Sequence, residues 1–171
     1  MRGRLTAAAR ALDEHFILIL LVVALGIVSG MLVIELATQQ PQRYTGFGLL
    51  DESGTTGGFP LEVPHNGTLV VNTNVLNREG KPSLYRVSIL VGDDATTMDP
   101  IDGSTGALLV DSFTSLVDDG DTWEKTVSIP FDETLVGYKK VIFELWVYDV
   151  ASSTFTFTGQ SLHLWIDVLA P

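Results

Sequence analysis

The hydropathy pattern of the chain changes once, near residue 38. Before that point, Phe16 to Ile34 (FILILLVVALGIVSGMLVI) form a nineteen-residue run without a charge. As a helix rising ~1.5 Å per residue, the run spans ~28 Å, close to the ~30 Å hydrocarbon core of a bilayer. It is apolar on every face rather than along one stripe, which argues against a helix packed on the surface of a soluble domain. A cleaved signal usually carries an apolar region of ~7–15 residues followed by small residues. This run is longer, and cleavage after Ala37 would put Glu35 where a small residue is wanted. A retained signal anchor over residues 16–37 is therefore expected. Arg2, Arg4 and Arg10 precede it and only Arg43 follows closely, while Asp13 and Glu14 count little in the positive-inside rule. Residues 1–15 are expected to form a basic cytoplasmic stub, with Leu5 to Leu12 as a short amphipathic helix. The rest of the chain is then extracellular. Gly26 and Gly30 give a G-x-x-x-G pattern that lets two helices approach closely, although glycine is common in membrane helices anyway.

After the run, the period changes from helical to two. Segments rich in Val, Leu, Thr and aromatics alternate with Gly, Asn, Asp and Pro clusters, which is the pattern of strands and turns. Strands are predicted at 45–50, 67–77, 83–91, 107–116, 122–129, 140–149 and 161–168, with a further short pair at 61–63 and 154–158. Val141, Phe143, Leu145 and Val147 share one face, as do Leu162, Leu164, Ile166 and Val168, and so do Leu69, Val71, Thr73 and Val75. In 83–91 the core face is Tyr85, Val87, Ile89 and Val91. Asn77-Arg78-Glu79-Gly80 reads as a hairpin turn. About seven strands spaced near ten residues predict an all-β antiparallel sandwich of the immunoglobulin or fibronectin type over 44–171, behind a short linker at 38–43.

Charge narrows the partners. The chain carries 21 acidic and 10 basic residues, net −11, and beyond the apolar run its only lysines are Lys81, Lys125, Lys139 and Lys140. Nucleic acid is not an expected partner, because phosphate neutralisation needs clustered Lys and Arg. An Asp-rich, Lys-poor surface also matches proteins of very salty surroundings, where self-repulsion is screened within about 3 Å. Cysteine is absent, so the outer domain must hold by its core alone rather than by disulfides. Asn66-Gly67-Thr68 is an N-glycosylation sequon on the outer side.

Two loops gather carboxylates: Asp93, Asp94, Asp99 and Asp102 in one, and Asp118, Asp119 and Asp121 around Gly120 in the other. Calcium takes six to eight oxygen ligands, so Asp99, Asp102, Asp118, Asp119 and Asp121 are weak calcium candidates. Aspartate in turns also has a purely local explanation, since it favours turn conformations. Trp146 and Tyr148 face away from the aliphatic set of their strand, and His163 and Trp165 do so on theirs. If those two strands pair, the four make an outward aromatic patch of the kind that binds partners. No catalytic residue and no cofactor site is expected. There is no G-x-S-x-G, no H-E-x-x-H and no phosphate-binding glycine loop, and His15, His65 and His163 lie far apart in the chain. Nothing marks a small-molecule substrate.

Tyr44-Thr45-Gly46-Phe47-Gly48-Leu49-Leu50, then Gly58-Phe59-Pro60, Val70 to Gly80, Tyr85-Arg86-Val87, Trp123-Glu124 and Ser161-Leu162-His163-Leu164-Trp165-Ile166 follow one another in a distinctive order. In that order the chain resembles an archaeal membrane-anchored family of domains of unknown function, number sixteen-sixteen, over about residues 43 to 168. The family's usual Asn-His-Glu is here Asn77-Arg78-Glu79, and a single apolar span stands where many relatives carry several. The resemblance implies an archaeal surface location and an extracytoplasmic sandwich, and supplies no functional residues. The expected role is a non-enzymatic, single-pass cell-envelope protein, a tether or accessory subunit that binds an envelope or membrane-complex partner. The alternatives are a pilin- or archaellin-like filament subunit, and a calcium- or sugar-binding surface module or hydrolase.

Overall fold

Nothing in the apolar run stops a helix: it has no proline, and its glycines are isolated. In the computed structural model, which describes residues 2–38, 42–132 and 135–171, helix α1 spans Arg2–Thr38 without interruption. Its described side chains from Leu18 to Glu35 are all exposed, and the segment is long and apolar enough to cross a membrane. A signal sequence near an N-terminus has the same properties. The chain separates into two units, residues up to 42 and residues 43–171. Residues 39–41 of the linker predicted at 38–43 lie outside the described residues.

The second unit is all β. Its strands are β1 (Tyr44–Leu50), β2 (Glu62–Val63), β3 (Thr68–Arg78), β4 (Ser83–Gly92), β5 (Thr97–Asp99), β6 (Gly103–Thr105), β7 (Leu108–Val117), β8 (Thr122–Pro130), β9 (Gly137–Asp149) and β10 (Thr154–Val168). The seven long ones match the seven predicted from alternation. They form a three-stranded sheet, β1-β3-β8, and a five-stranded sheet, β2-β10-β9-β4-β7, with β5-β6 as a separate small hairpin. Every pairing is antiparallel except the parallel contact of β2 with the end of β10. The unit is an immunoglobulin-like sandwich, in which chain segments cross repeatedly from one sheet to the other.

One apolar core joins the sheets. Leu69, Val71, Val127 and Ile129 from the three-stranded sheet pack with Ile89, Val91, Val141, Phe143, Ile166 and Val168 from the other. A second cluster, Val75, Tyr85, Val87, Val117 and Leu145, continues it toward the end where residue 43 enters. Each fully buried Leu, Ile or Phe here contributes roughly 1.5–3 kcal/mol relative to exposure. That core does what disulfides do in many small secreted domains.

Three local expectations are corrected. Asn77–Gly80 is not a hairpin turn, because β3 and β4 lie in different sheets. It is a corner between layers, organised by the fully buried Asn77. The Asn77 Nδ2 donates to the carbonyls of Lys81 and Val117 at 2.8 Å each. Its Oδ1 accepts from the Glu79 amide at 3.0 Å and the Tyr85 hydroxyl at 3.2 Å. Segments 61–63 and 154–158 do not pair with each other. Glu62–Val63 runs beside Asp167–Val168, and Thr154–Phe157 continues β10 along β9. A bulge between Phe157 and Ser161, with Gly159 at φ +78°, separates the two halves of β10 that read as separate strands in the sequence. The β5-β6 hairpin was not anticipated at all.

Candidate functional site

Pairing of β9 with β10 decides the fate of the aromatic residues. In register, Trp146 opposes Phe157, Tyr148 opposes Phe155, Ile142 opposes His163 and Lys140 opposes Trp165. All four predicted aromatic positions do face outward on the five-stranded sheet, but they do not form one patch. Lys140 to Trp146 is six residues, about 20 Å of strand at ~3.3 Å each. Between the two ends, Ile142 and Glu144 are buried on the same outward side.

What buries Glu144 is the β5-β6 hairpin, folded over the outer surface of the sheet. The Ser104 amide donates to Glu144 Oε1 at 2.5 Å, and a Cβ at Gly103 would come within 2.9 Å of both carboxylate oxygens. Gly103 also sits at φ +80°, so glycine is required there twice over, for space and for backbone conformation. The second oxygen, Oε2, accepts the Trp146 indole N–H at 3.2 Å. Glu144 is 2% exposed, and its two bonds satisfy a carboxylate that would otherwise be costly to enclose.

On one side of this seam lies the larger cluster. Trp146 packs on Phe157 with ring centroids 5.3 Å apart, and Tyr148 meets Phe155 edge-on at 5.3 Å. Arg86, opposite Trp146 on β4, places its guanidinium carbon 4.4 Å from the Phe155 ring centre and 5.1 Å from that of Trp146. A cation held over aromatic faces is attracted by their quadrupole. Burial lowers the pKa of Arg86 below its usual value, and the charge of Glu144 opposes that shift. Phe155 and Phe157 were not predicted as contact residues. Their alternation within Thr154-Phe155-Thr156-Phe157-Thr158 was the available signal.

On the other side, Trp165 stacks on Tyr138 at 4.9 Å with planes 6° apart. Lys140 Nζ lies 5.7 Å from the Trp165 ring centre, and His163 meets the same ring edge-on. Tyr138 is 61% exposed. This second group is smaller and more open.

The carboxylate loops have local duties. Asp99 Oδ1 accepts the amides of Ile101 and Asp102, which lowers its pKa, with the Asp102 bond the stronger cause. Asp119 Oδ1 accepts the Gly80 amide at 2.8 Å, and the carbonyl of Asp121 accepts the Asn77 amide at 3.0 Å. Asp118 takes the Asp121 amide on its carbonyl. Asp93 Oδ1 accepts the Ala95 amide. Among the described residues, no group of three or more His, Asp or Glu is arranged to hold a metal ion. Asn66 of the sequon is exposed in a tight turn at φ +56°, its side-chain amide 2.8 Å from His65 Nε2. Gly26 and Gly30 lie four residues apart in α1, hence on one side of it, with nothing near either.

The model of a protein family described as a domain of unknown function (DUF1616) matches residues 38–167. No curated protein matches the chain. Among solved structures, a β-glucosidase from Listeria innocua is 13% identical with a TM-score of 0.45, covering 75% of this chain. A CARDB domain from Pyrococcus furiosus, solved in complex with di-metal ions, is 12% identical at 0.45 and covers 74% of this chain and 89% of its own. A β-glucosidase from Erythrobacter marinus is 11% identical at 0.43. The chain spans 17% of the Listeria enzyme and 16% of the Erythrobacter one.

Proposed function

The chain belongs to the DUF1616 family, and from that premise we propose that it is a membrane-anchored binding module rather than an enzyme. In this reading α1 is retained in the bilayer with residues 1–15 in the cytoplasm. The sandwich stands on the outer side and presents the outward face of its five-stranded sheet to a protein partner in the cell envelope. The observation that carries the binding part is the cluster of Trp146, Tyr148, Phe155 and Phe157 gathered around Arg86 on an outward sheet face. Trp, Tyr and Arg are the residues most enriched at the energetic centres of protein interfaces. The four aromatic rings are each half-buried against one another, and their remaining surface faces outward on one side of a sheet.

The apolar helix and the arginines before it support this location. The net charge of −11 suits an aqueous compartment of high ionic strength, where the acidic surface is screened. The test is site-specific crosslinking in intact cells, with a photoreactive residue at Phe157 and, separately, at Thr126 on the opposite sheet. One discrete adduct from Phe157 and none from Thr126 supports the reading. Equal or absent adducts remove it. Alkaline carbonate extraction tests the anchor, since a bilayer-spanning chain stays in the pellet.

A further inference from the structure

Arg86 is the cation at the centre of the larger aromatic cluster, and it makes no hydrogen bond through its side chain among the described residues. Its guanidinium is held between the rings of Phe155 and Trp146. Its Nε is enclosed by protein and has no hydrogen-bond acceptor. Glu144 acts on Arg86 through its charge, but its oxygens bond the Ser104 amide and the Trp146 indole and make no hydrogen bond to the guanidinium. A guanidinium presents five N–H donors in a rigid planar fork, and leaving an enclosed donor without an acceptor is costly. The residue is thus oriented by aromatic rings. Its Nε is sealed inside, while its terminal nitrogens are not buried and make no hydrogen bond among the described residues. They are the end of the fork that a partner can reach.

We propose that Arg86 is the anchor point of the contact face, and that the terminal nitrogens of its guanidinium receive a single carboxylate side chain from an extended segment of the partner protein while the partner's neighbouring apolar side chain lies on Trp146 and Phe157. This rests on the reading of the face as a partner surface and specifies its chemistry. A carboxylate matches the guanidinium fork in a bidentate, planar arrangement, and a charge-assisted pair of this kind is about twice as strong as a neutral hydrogen bond. A phosphate is disfavoured. No lysine stands beside Arg86 on the paired strands, whereas Glu144 and Asp102 line the same cleft. Those fixed negative charges repel a dianion more than a monoanion. Rings pre-set the cation, so little side-chain freedom is lost on docking.

The experiment uses the full-length chain in detergent micelles, labelled with nitrogen-15 at arginine and tryptophan, with 3-phenylpropionate as the probe. Saturable shifts of the Arg86 Nε–H and Trp146 indole resonances are expected. Arg86→Lys, which keeps the charge and loses the fork, should weaken binding at least tenfold, and the neutral isostere 3-phenylpropanol should produce no saturable shift of the Nε–H. Equal responses to the acid and the alcohol, or undiminished binding by Arg86→Lys, overturn the proposal. Tighter binding of phenyl phosphate than of phenylpropionate overturns the choice of carboxylate. Should Arg86→Lys fail to fold, Phe155→Ala opens one side of the ring pair and must weaken the probe in the same way. The two readings fail separately. A crosslink from Phe157 without carboxylate binding leaves the face and removes the anchor chemistry. Carboxylate binding without any crosslink does the reverse.

Discussion

The two sheets of the sandwich share one core and differ on their outward faces. Outside the three-stranded sheet, Asn72 and Asn74 of β3 stand beside Thr126 and Glu124 of β8, and Gly46 and Gly48 occupy β1. Asn72 donates its amide to the Asp51 carbonyl and accepts the Thr126 hydroxyl at 2.6 Å, so the middle of this face is a polar network, with the aliphatic Leu50, Val70 and Leu76 at neighbouring outward positions. Outside the five-stranded sheet the corresponding positions hold Trp146, Tyr148, Phe155, Phe157, Tyr138 and Trp165 with Arg86 and Lys140. A sheet needs only one apolar face to fold. The polar face is therefore what folding requires of an outward surface, and the aromatic one exceeds it. That excess is why function is placed on the five-stranded side.

The comparison can be broken in order of effect size. Phe143 belongs to neither outward face, and Phe143→Ala sets the scale of damage to the shared core, about 3–5 kcal/mol in denaturant unfolding. Glu144→Ala comes next. It strands the Ser104 amide and the Trp146 indole, costs about 1–3 kcal/mol, and releases the β5-β6 hairpin, so limited proteolysis within 93–107 should quicken. A loss below that range would mean the hairpin is held by something other than the carboxylate.

Asp51, at the edge of the polar face, gives a pH signature. Its carboxylate accepts the Ser53 hydroxyl, the Thr55 amide and the Thr55 hydroxyl, which hold its pKa at about 2 against an ordinary 3.8. The folded value is depressed, so the contribution is complete above the unfolded pKa and is lost as pH falls through the folded one. Between pH 4 and 2 the unfolding midpoint should drop more steeply for the native chain than for Asp51→Asn. Parallel curves would contradict the assignment. The smallest effect is expected at Thr126→Val, within about 0.5 kcal/mol, because that residue is exposed and its single bond is replaceable by water.

Alternation made the inward faces of β3, β4, β9 and β10 legible, since burial on one side imposes a period of two whatever the topology. It could not say which strands pair. Asn77–Gly80 therefore looked like a hairpin turn, when the buried Asn77 is what turns the chain between sheets. Outward residues were harder. Trp146, Tyr148, His163 and Trp165 were placed on the right face from their phase alone. Their division into two clusters depends on the β5-β6 hairpin, whose three-residue strands are too short to carry a period. Arg86 was assigned correctly to the outward side of its strand. Its position between two rings joins residues some 60 or more positions apart and has no local trace.

The most direct test of the account is photo-crosslinking in cells, comparing the outward faces of the two sheets within one protein. A photoreactive residue at Phe157 is predicted to yield a discrete adduct, reduced at least tenfold when Arg86→Lys is added, while the same residue at Thr126 yields none. A stronger adduct from Thr126, or one from Phe157 indifferent to Arg86, would contradict the claim that the aromatic face is where this protein meets its partner.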